Sequence, residues 1–219
     1  MITSVEVLNI PSPFDGLSAE SRNIIVKCFD LLYSESSKAV LNTIEIKNLE
    51  DIVENEFEKA FSLSERDIVY VNDTLDYNFG IFQKGINAVG YHRVLQEELR
   101  LYANTLQKSF SRLLKGTGLY TNVTVYAGKI NEPLQLIVLD FGSDKGGVEE
   151  GSAAEFKDAL CKIDKYLWER QAESIYMSKT LKYYDGTHAY VIKPNQKRFW
   201  SCMQAYDDAA SIVNDFLNQ

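Results

Sequence analysis

Apolar positions along the chain change period part-way through, and that change organises everything else. Ile24, Ile25, Cys28, Leu31 and Leu32 recur at helical spacing behind Ser18, a residue type that caps helix N-termini. A second helix is expected from Asn48, with Glu50 and Asp51 in its first turn and Ile52, Val53, Phe57, Ala60 and Phe61 on its buried side. Short strands are expected at Val5–Ile10, at Val40–Ile46 and at Ile68–Val71, followed by an irregular or partly helical stretch to Gly90. The clearest helix carries Leu95, Leu99, Tyr102, Leu106, Phe110 and Leu113 on one stripe and ends near Gly116.

From Thr121 the period becomes that of a strand. Val123, Val125 and Ala127 share one parity, and the nearly all-apolar run Leu134–Phe141 reads as a strand covered on both faces. The glycine-rich acidic stretch 142–151 reads as a loop, and Ser152-x-x-Glu155 spells a capping box for a helix with Phe156, Leu160, Ile163, Leu167 and Ile175 inward. Asp185-Gly186 is a hairpin turn signal, which would set Tyr183 opposite His188 and Leu181 opposite Tyr190. A last helix is expected from Pro194-Asn195, with Phe199, Met203, Tyr206, Ala210, Val213 and Leu217 facing the sheet.

The fold class that follows is α+β: an antiparallel sheet of two hairpins in β-β-α-β-β-α order with helices on one face, after a helical N-terminal third and one long helix. No linker-like stretch divides the sequence, so a single α+β domain over 1–219 is expected, helical to about 118 and sheet-containing from about 119.

Charge and cysteine usage narrow the surroundings. A formal net charge of −8 disfavours a general nucleic-acid binder, because phosphate polymers are held chiefly by lysine and arginine. Charges interrupt every apolar run before it reaches membrane-spanning length, and Met1–Ile10 lacks the pattern of a secretory signal. The three cysteines, Cys28, Cys161 and Cys202, are far apart and are expected to be buried free thiols, which suits a cytoplasmic protein. The glycosylation triplets at Asn72 and Asn122 would then be silent.

Catalytic constellations are sparse. His92 and His188 are the only histidines; His188 is expected to pack beside Leu181 and Tyr190, and His92 lacks a second ligand at metal-site spacing. Asp140-Phe141-Gly142 lacks the other kinase motifs, Lys145-Gly146-Gly147 lacks phosphate-loop spacing, and Glu45-Ile46-Lys47 lacks the strand order of a metal nuclease. No cofactor is expected.

Three functional expectations remain. The leading one is a non-catalytic interaction or accessory subunit of a cytoplasmic complex with an unidentified protein partner, anchored on an exposed Trp200 beside Lys197 and Arg198. The second is an accessory factor in nucleic-acid transactions using Lys182, Tyr184, Lys197, Arg198 and Trp200, aromatic and basic residues of the kind that stack bases and meet phosphates. The third is a metal-dependent hydrolase with Asp140 and Asp144 as carboxylate ligands at a strand end.

Overall fold

A computed structural model describes residues 16–38, 42–126, 133–143, 146–169 and 180–217. The chain divides into two compact units, Met1–Ile68 and Val69–Gln219. The expected strand Val5–Ile10 and the first two positions of the expected strand Val40–Ile46 lie outside the described residues, as do Ala127, Asp144 and Ile175.

In the first unit α1 (Ala19–Ser36) and α2 (Thr43–Phe61) pack on one another. Ser18 caps α1 as its residue type requires, its hydroxyl accepting from the Ser21 N–H at 3.0 Å. α2 starts earlier than the apolar pattern indicates. Asn42 accepts from the Glu45 N–H at 3.2 Å, so Thr43–Ile46 is the first turn of a helix and not the end of a strand. Leu49 and Glu56 are the buried residues of α2, whereas Ile52 and Phe61 are exposed. Gly16 sits so close to Ala60 that a Cβ there would stand 2.6 Å from the Ala60 carbonyl oxygen.

A third helix, α3 (Glu65–Asp73), takes the place of the expected strand at Ile68–Val71. Ser64 and Asp67 close its first turn reciprocally, the Asp67 carboxylate accepting from the Ser64 N–H at 3.0 Å and the Ser64 hydroxyl accepting from the Asp67 N–H at 3.2 Å. That local pairing decides the segment for helix over the β-branched residues that follow. A π-helical turn (Thr74–Phe79), the short helix α4 (Gly80–Lys84) and two 3₁₀ turns then lead to α5 (Gln96–Leu113).

The sheet is mixed, five-stranded and ordered β3-β1-β2-β5-β4: β1 (Tyr120–Tyr126), β2 (Leu134–Gly142), β3 (Val148–Glu150), β4 (Leu181–Asp185) and β5 (His188–Pro194). The expected all-antiparallel β-β-α-β-β-α arrangement is corrected at one edge. β3, inside the stretch read as loop, runs parallel to β1 with Val123 opposite Val148, giving three strands before α6 (Ala153–Glu169). Three residues are too short to show a period, and Glu149 and Glu150 disguise an edge strand whose outer side is solvated.

Helices lie on both faces, not one. α5 and α7 (Cys202–Leu217) cover the face formed by Val123, Val125, Ile137, Leu139, Ala189 and Val191, while α6 covers Leu136, Val138, Tyr190 and Ile192. The uninterrupted apolar run of β2 records that double burial directly. The Ser152–Glu155 capping box forms as expected, the Glu155 carboxylate accepting from the Ser152 N–H at 2.8 Å.

The β4–β5 turn is one residue later than its dipeptide signal. Asp185 pairs with His188, leaving Gly186-Thr187 as the two-residue loop, with Gly186 at φ +58°. A positive φ at the first loop position alone is the type II′ pattern, which places glycine there. Replacing Gly186 by valine is expected to cost on the order of 1–2 kcal/mol in chemical denaturation, the strain of a left-handed β-branched residue. An unchanged midpoint would show that the turn relaxes without glycine.

α7 begins at Cys202, after the 3₁₀ turn Lys197–Phe199, and not at Pro194-Asn195. Its buried line is Ala205, Asp208, Ala209 and Ile212; Met203, Tyr206 and Val213 are only half-buried and Ala210 is exposed. Cys28 is buried as expected, but Cys161 is exposed, and all three cysteines are free. Among the described residues no helix is long and apolar enough to cross a membrane.

Candidate functional site

The C-terminal aromatic and basic residues are drawn into the second unit. Trp200, expected at the surface, is 2% exposed. Its indole N–H donates to the Pro194 carbonyl at 2.9 Å, and its ring meets Tyr102 edge-on with centroids 5.1 Å apart. The 3₁₀ turn at Lys197–Phe199 rotates Trp200 inward, where a helix continuous from Pro194 would have left it on the flank. Lys197 donates to Glu98 at 2.5 Å, and the Arg198 guanidinium lies over the rings of Tyr91 and Phe199. Lys182 donates to the Ser211 hydroxyl, and the Tyr184 hydroxyl donates to Asp215 at 2.6 Å. Burial first, then that bond to Asp215, raises the Tyr184 phenol above the ordinary tyrosine range. Neither the exposed-tryptophan anchor nor one continuous basic and aromatic face is assembled, because these groups are spent on internal partners.

At the heart of this packing stands Lys193, 1% exposed. Its ammonium donates to the Asp208 carboxylate and, at 3.0 Å, to the Phe199 carbonyl, and Tyr102 donates to the same carboxylate at 2.5 Å. Burial pulls the lysine below its ordinary range against the attraction of Asp208, and burial with the adjacent carboxylate holds the Tyr102 phenol well above its own. Lys193 alternates with Val191 and Ala189 on the α7 side of β5, and that parity is the sequence signal for its burial.

Two surfaces among the described residues carry chemistry suited to a ligand or partner. The first is in the N-terminal unit, where Val26, Phe29, Leu31, Tyr33, Ile44, Ile52 and Phe61 are all exposed, Tyr33 at 80% and Ile44 at 74%. Against this surface the buried apolar residues among those described there are Leu17, Ile25, Cys28 and Leu49. A groove of about 620 Å³ runs between α1 and α2, floored by Phe29, Leu32, Ile46, Val53 and Phe57. Glu50, Asp51 and Glu54 stand along it against Lys47. Ile46, Glu50, Val53 and Phe57 recur at helical spacing, so the sequence held the signal, but the expected strand ending at Ile46 cut it in two.

The second surface is a cleft of about 340 Å³ on the α6 side of the sheet. Three cross-strand rows lead into it. Tyr126, Leu136, Ile192 and Leu181 form an apolar row, and Thr124, Val138, Tyr190 and Tyr183 a mixed one. Asn122, Asp140, His188 and Asp185 form a polar row beyond the cover of α6. Asp140 accepts from the Thr187 hydroxyl at 3.1 Å and lies 3.6 Å from His188 Nε2, with each of these two side chains 45% exposed.

His188 therefore shares a face with Tyr190, as parity requires, at 6.3 Å between ring centroids. It pairs with Asp185, however, while Leu181 lies opposite Ile192. The register moved by two residues, which preserves faces and changes neighbours. Of the two expected metal ligands, Asp140 lines this cleft and Asp144 lies outside the described residues. Among the described residues no group of three His, Cys, Asp or Glu side chains converges as a metal site.

No protein-family model, curated protein or solved structure matches the chain, so these surfaces are read from their own chemistry.

Proposed function

We propose that the protein is a non-catalytic interaction or accessory subunit of a cytoplasmic complex, and that its α1–α2 groove seats a basic amphipathic helix of a protein partner. The observation carrying this reading is the apolar floor of Phe29, Leu32, Ile46, Val53 and Phe57 beside the carboxylates of Glu50, Asp51 and Glu54. A helix pair that leaves large apolar side chains in water retains a driving force for burial, at about 25 cal/mol per Å² of apolar surface covered. Helices dock in such grooves through residues spaced three and four apart, and the charges beside the groove select lysine and arginine on the incoming flanks.

The metal-hydrolase reading has less support. Asp140 and His188 stand side by side, yet no third described ligand joins them. The nucleic-acid reading has less again, since Lys182, Tyr184 and Trp200 are engaged within the chain.

The test is a fluorescence-anisotropy titration of the full chain with a labelled amphipathic helical peptide of leucine and lysine. Saturable binding is expected, falling as salt rises. Phe29→Ser and the pair Glu50→Lys with Glu54→Lys are each expected to weaken it at least tenfold, and a leucine–glutamate peptide is expected not to bind. Equal binding of both peptides, or indifference to these substitutions, would overturn the proposal.

A further inference from the structure

The cleft on the α6 side of the sheet has a composition that its position in the fold does not require. A sheet face beneath a helix is ordinarily apolar, and two of the three cross-strand rows here supply that cover with Leu136, Val138, Tyr190 and Ile192. The third row, Asn122, Asp140, His188 and Asp185, continues the same face with hydrogen-bonding groups on four adjacent strands. From β3, Glu149 joins this side, accepting from the Thr124 hydroxyl at 3.2 Å, and α6 adds Glu155, Asp158 and Lys162.

The chemistry of the cleft selects its occupant. Asp140, Glu149, Glu155 and Asp158 face one lysine, Lys162, and a histidine, which excludes phosphates and carboxylates as ligands and draws in cations. These carboxylates are spread around a cavity of about 340 Å³, and no three described ligating side chains converge within it. A bare divalent ion needs its oxygen ligands together at about 2.0–2.6 Å, whereas an extended organic cation meets carboxylates one at a time.

The aromatic wall points the same way. Tyr126 and Tyr190 both line the cleft, and ring faces attract ammonium and guanidinium groups. Tyr126 holds its place only because residue 151 is glycine: a Cβ there would stand 2.0 Å from a ring carbon. Burial first, then the charge of Glu155, raises the Tyr126 phenol, which keeps it a hydrogen-bond donor beside the carboxylates.

We infer that this cleft binds a small organic cation bearing an ammonium or guanidinium group, held by Asp140 and the neighbouring carboxylates against the rings of Tyr126 and Tyr190. The inference is independent of the α1–α2 groove, which belongs to the other unit.

Agmatine, which carries a guanidinium at one end and an ammonium at the other, is the probe. It is titrated into the full chain and followed by the melting temperature and by the NMR signals of the His188 ring, which His92→Gln separates from those of the second histidine. A saturable His188 shift and a rise in melting temperature are expected, with neither produced by sodium chloride at matched ionic strength. Asp140→Asn preserves an acceptor for Thr187 and is expected to weaken binding at least tenfold while the variant melts cooperatively. Gly151→Ala, which drives the Tyr126 ring from its place, is expected to weaken it as well. An agmatine response equal to that of salt, or unchanged affinity in Asp140→Asn, would overturn the inference. The same saturable His188 shift with magnesium or zinc would also overturn it, in favour of a metal site.

Discussion

Asp208→Ala is expected to destabilise the protein by about 3–5 kcal/mol, a large share of the roughly 5–15 kcal/mol that holds a domain of ordinary stability. The alanine leaves the buried Lys193 ammonium without a counter-charge, its remaining contacts being the Phe199 carbonyl and the rings of Tyr102 and Trp200, and removes the acceptor of the Tyr102 hydroxyl. Most of this cost is the uncompensated charge and not the worth of the pair. Asp208→Leu combined with Lys193→Met, which removes both charges and keeps the volume, is therefore expected to recover most of the lost stability. Urea denaturation of Asp208→Leu, Lys193→Met and the double closes the cycle. A double variant as unstable as the worse single would show that the Lys193–Asp208–Tyr102 cluster is required for its hydrogen bonds and not merely for neutrality.

Trp200→Ala is the second large effect, again about 3–5 kcal/mol, by the mechanism of a truncated aromatic in a packed core. The residue fills space against Tyr102, and its N–H is satisfied by Pro194, so the substitution opens a cavity and removes one of two hydrogen bonds to that carbonyl, which keeps the Gln196 N–H at 2.8 Å. Peptide binding per folded molecule is expected to stay unchanged, because the proposed docking groove lies in the first unit. A stable Trp200→Ala variant that has lost partner affinity would reinstate the tryptophan as an interface anchor. Guanidinium melts with a binding measurement on the folded fraction separate the two outcomes.

The contrast between Trp200 and the α1–α2 groove shows what the sequence could carry. Four features were legible: the period of α5 from Leu99 to Phe110, the alternation of β1, the doubly covered β2 and the capping box at Ser152. Segments decided by a few local hydrogen bonds were not. Ile68–Val71 has a strand's composition, but the Ser64–Asp67 cap starts a helix there, and Asn42 does the same for Thr43–Ile46. The face of α7 was misplaced because its inner line contains two alanines and an aspartate, while the larger Met203 and Tyr206 sit at its margin. A hydrophobic count follows size, whereas burial here follows a charge pair and the close approach of two helices.

The candidate sites were legible in part for the same reason. Asp140 and His188 each stood out as chemistry-bearing residues, but that they are neighbours is a property of the β2–β5 register, which no local signal encodes. The groove depends on α2 starting at Thr43; with the start moved to Asn48, Ile46 and Lys47 drop out of the helix and leave Val53 and Phe57 read as buried.

We propose above that the α1–α2 groove seats a basic helix of a partner. Hydrogen exchange of the full chain, measured with and without the saturating leucine–lysine peptide, addresses it most directly. Added protection is expected across 19–36 and 43–61, with exchange of β2 and β5 unchanged. Saturable binding with no added protection in those two helices, or with protection centred on the sheet, would contradict the claim.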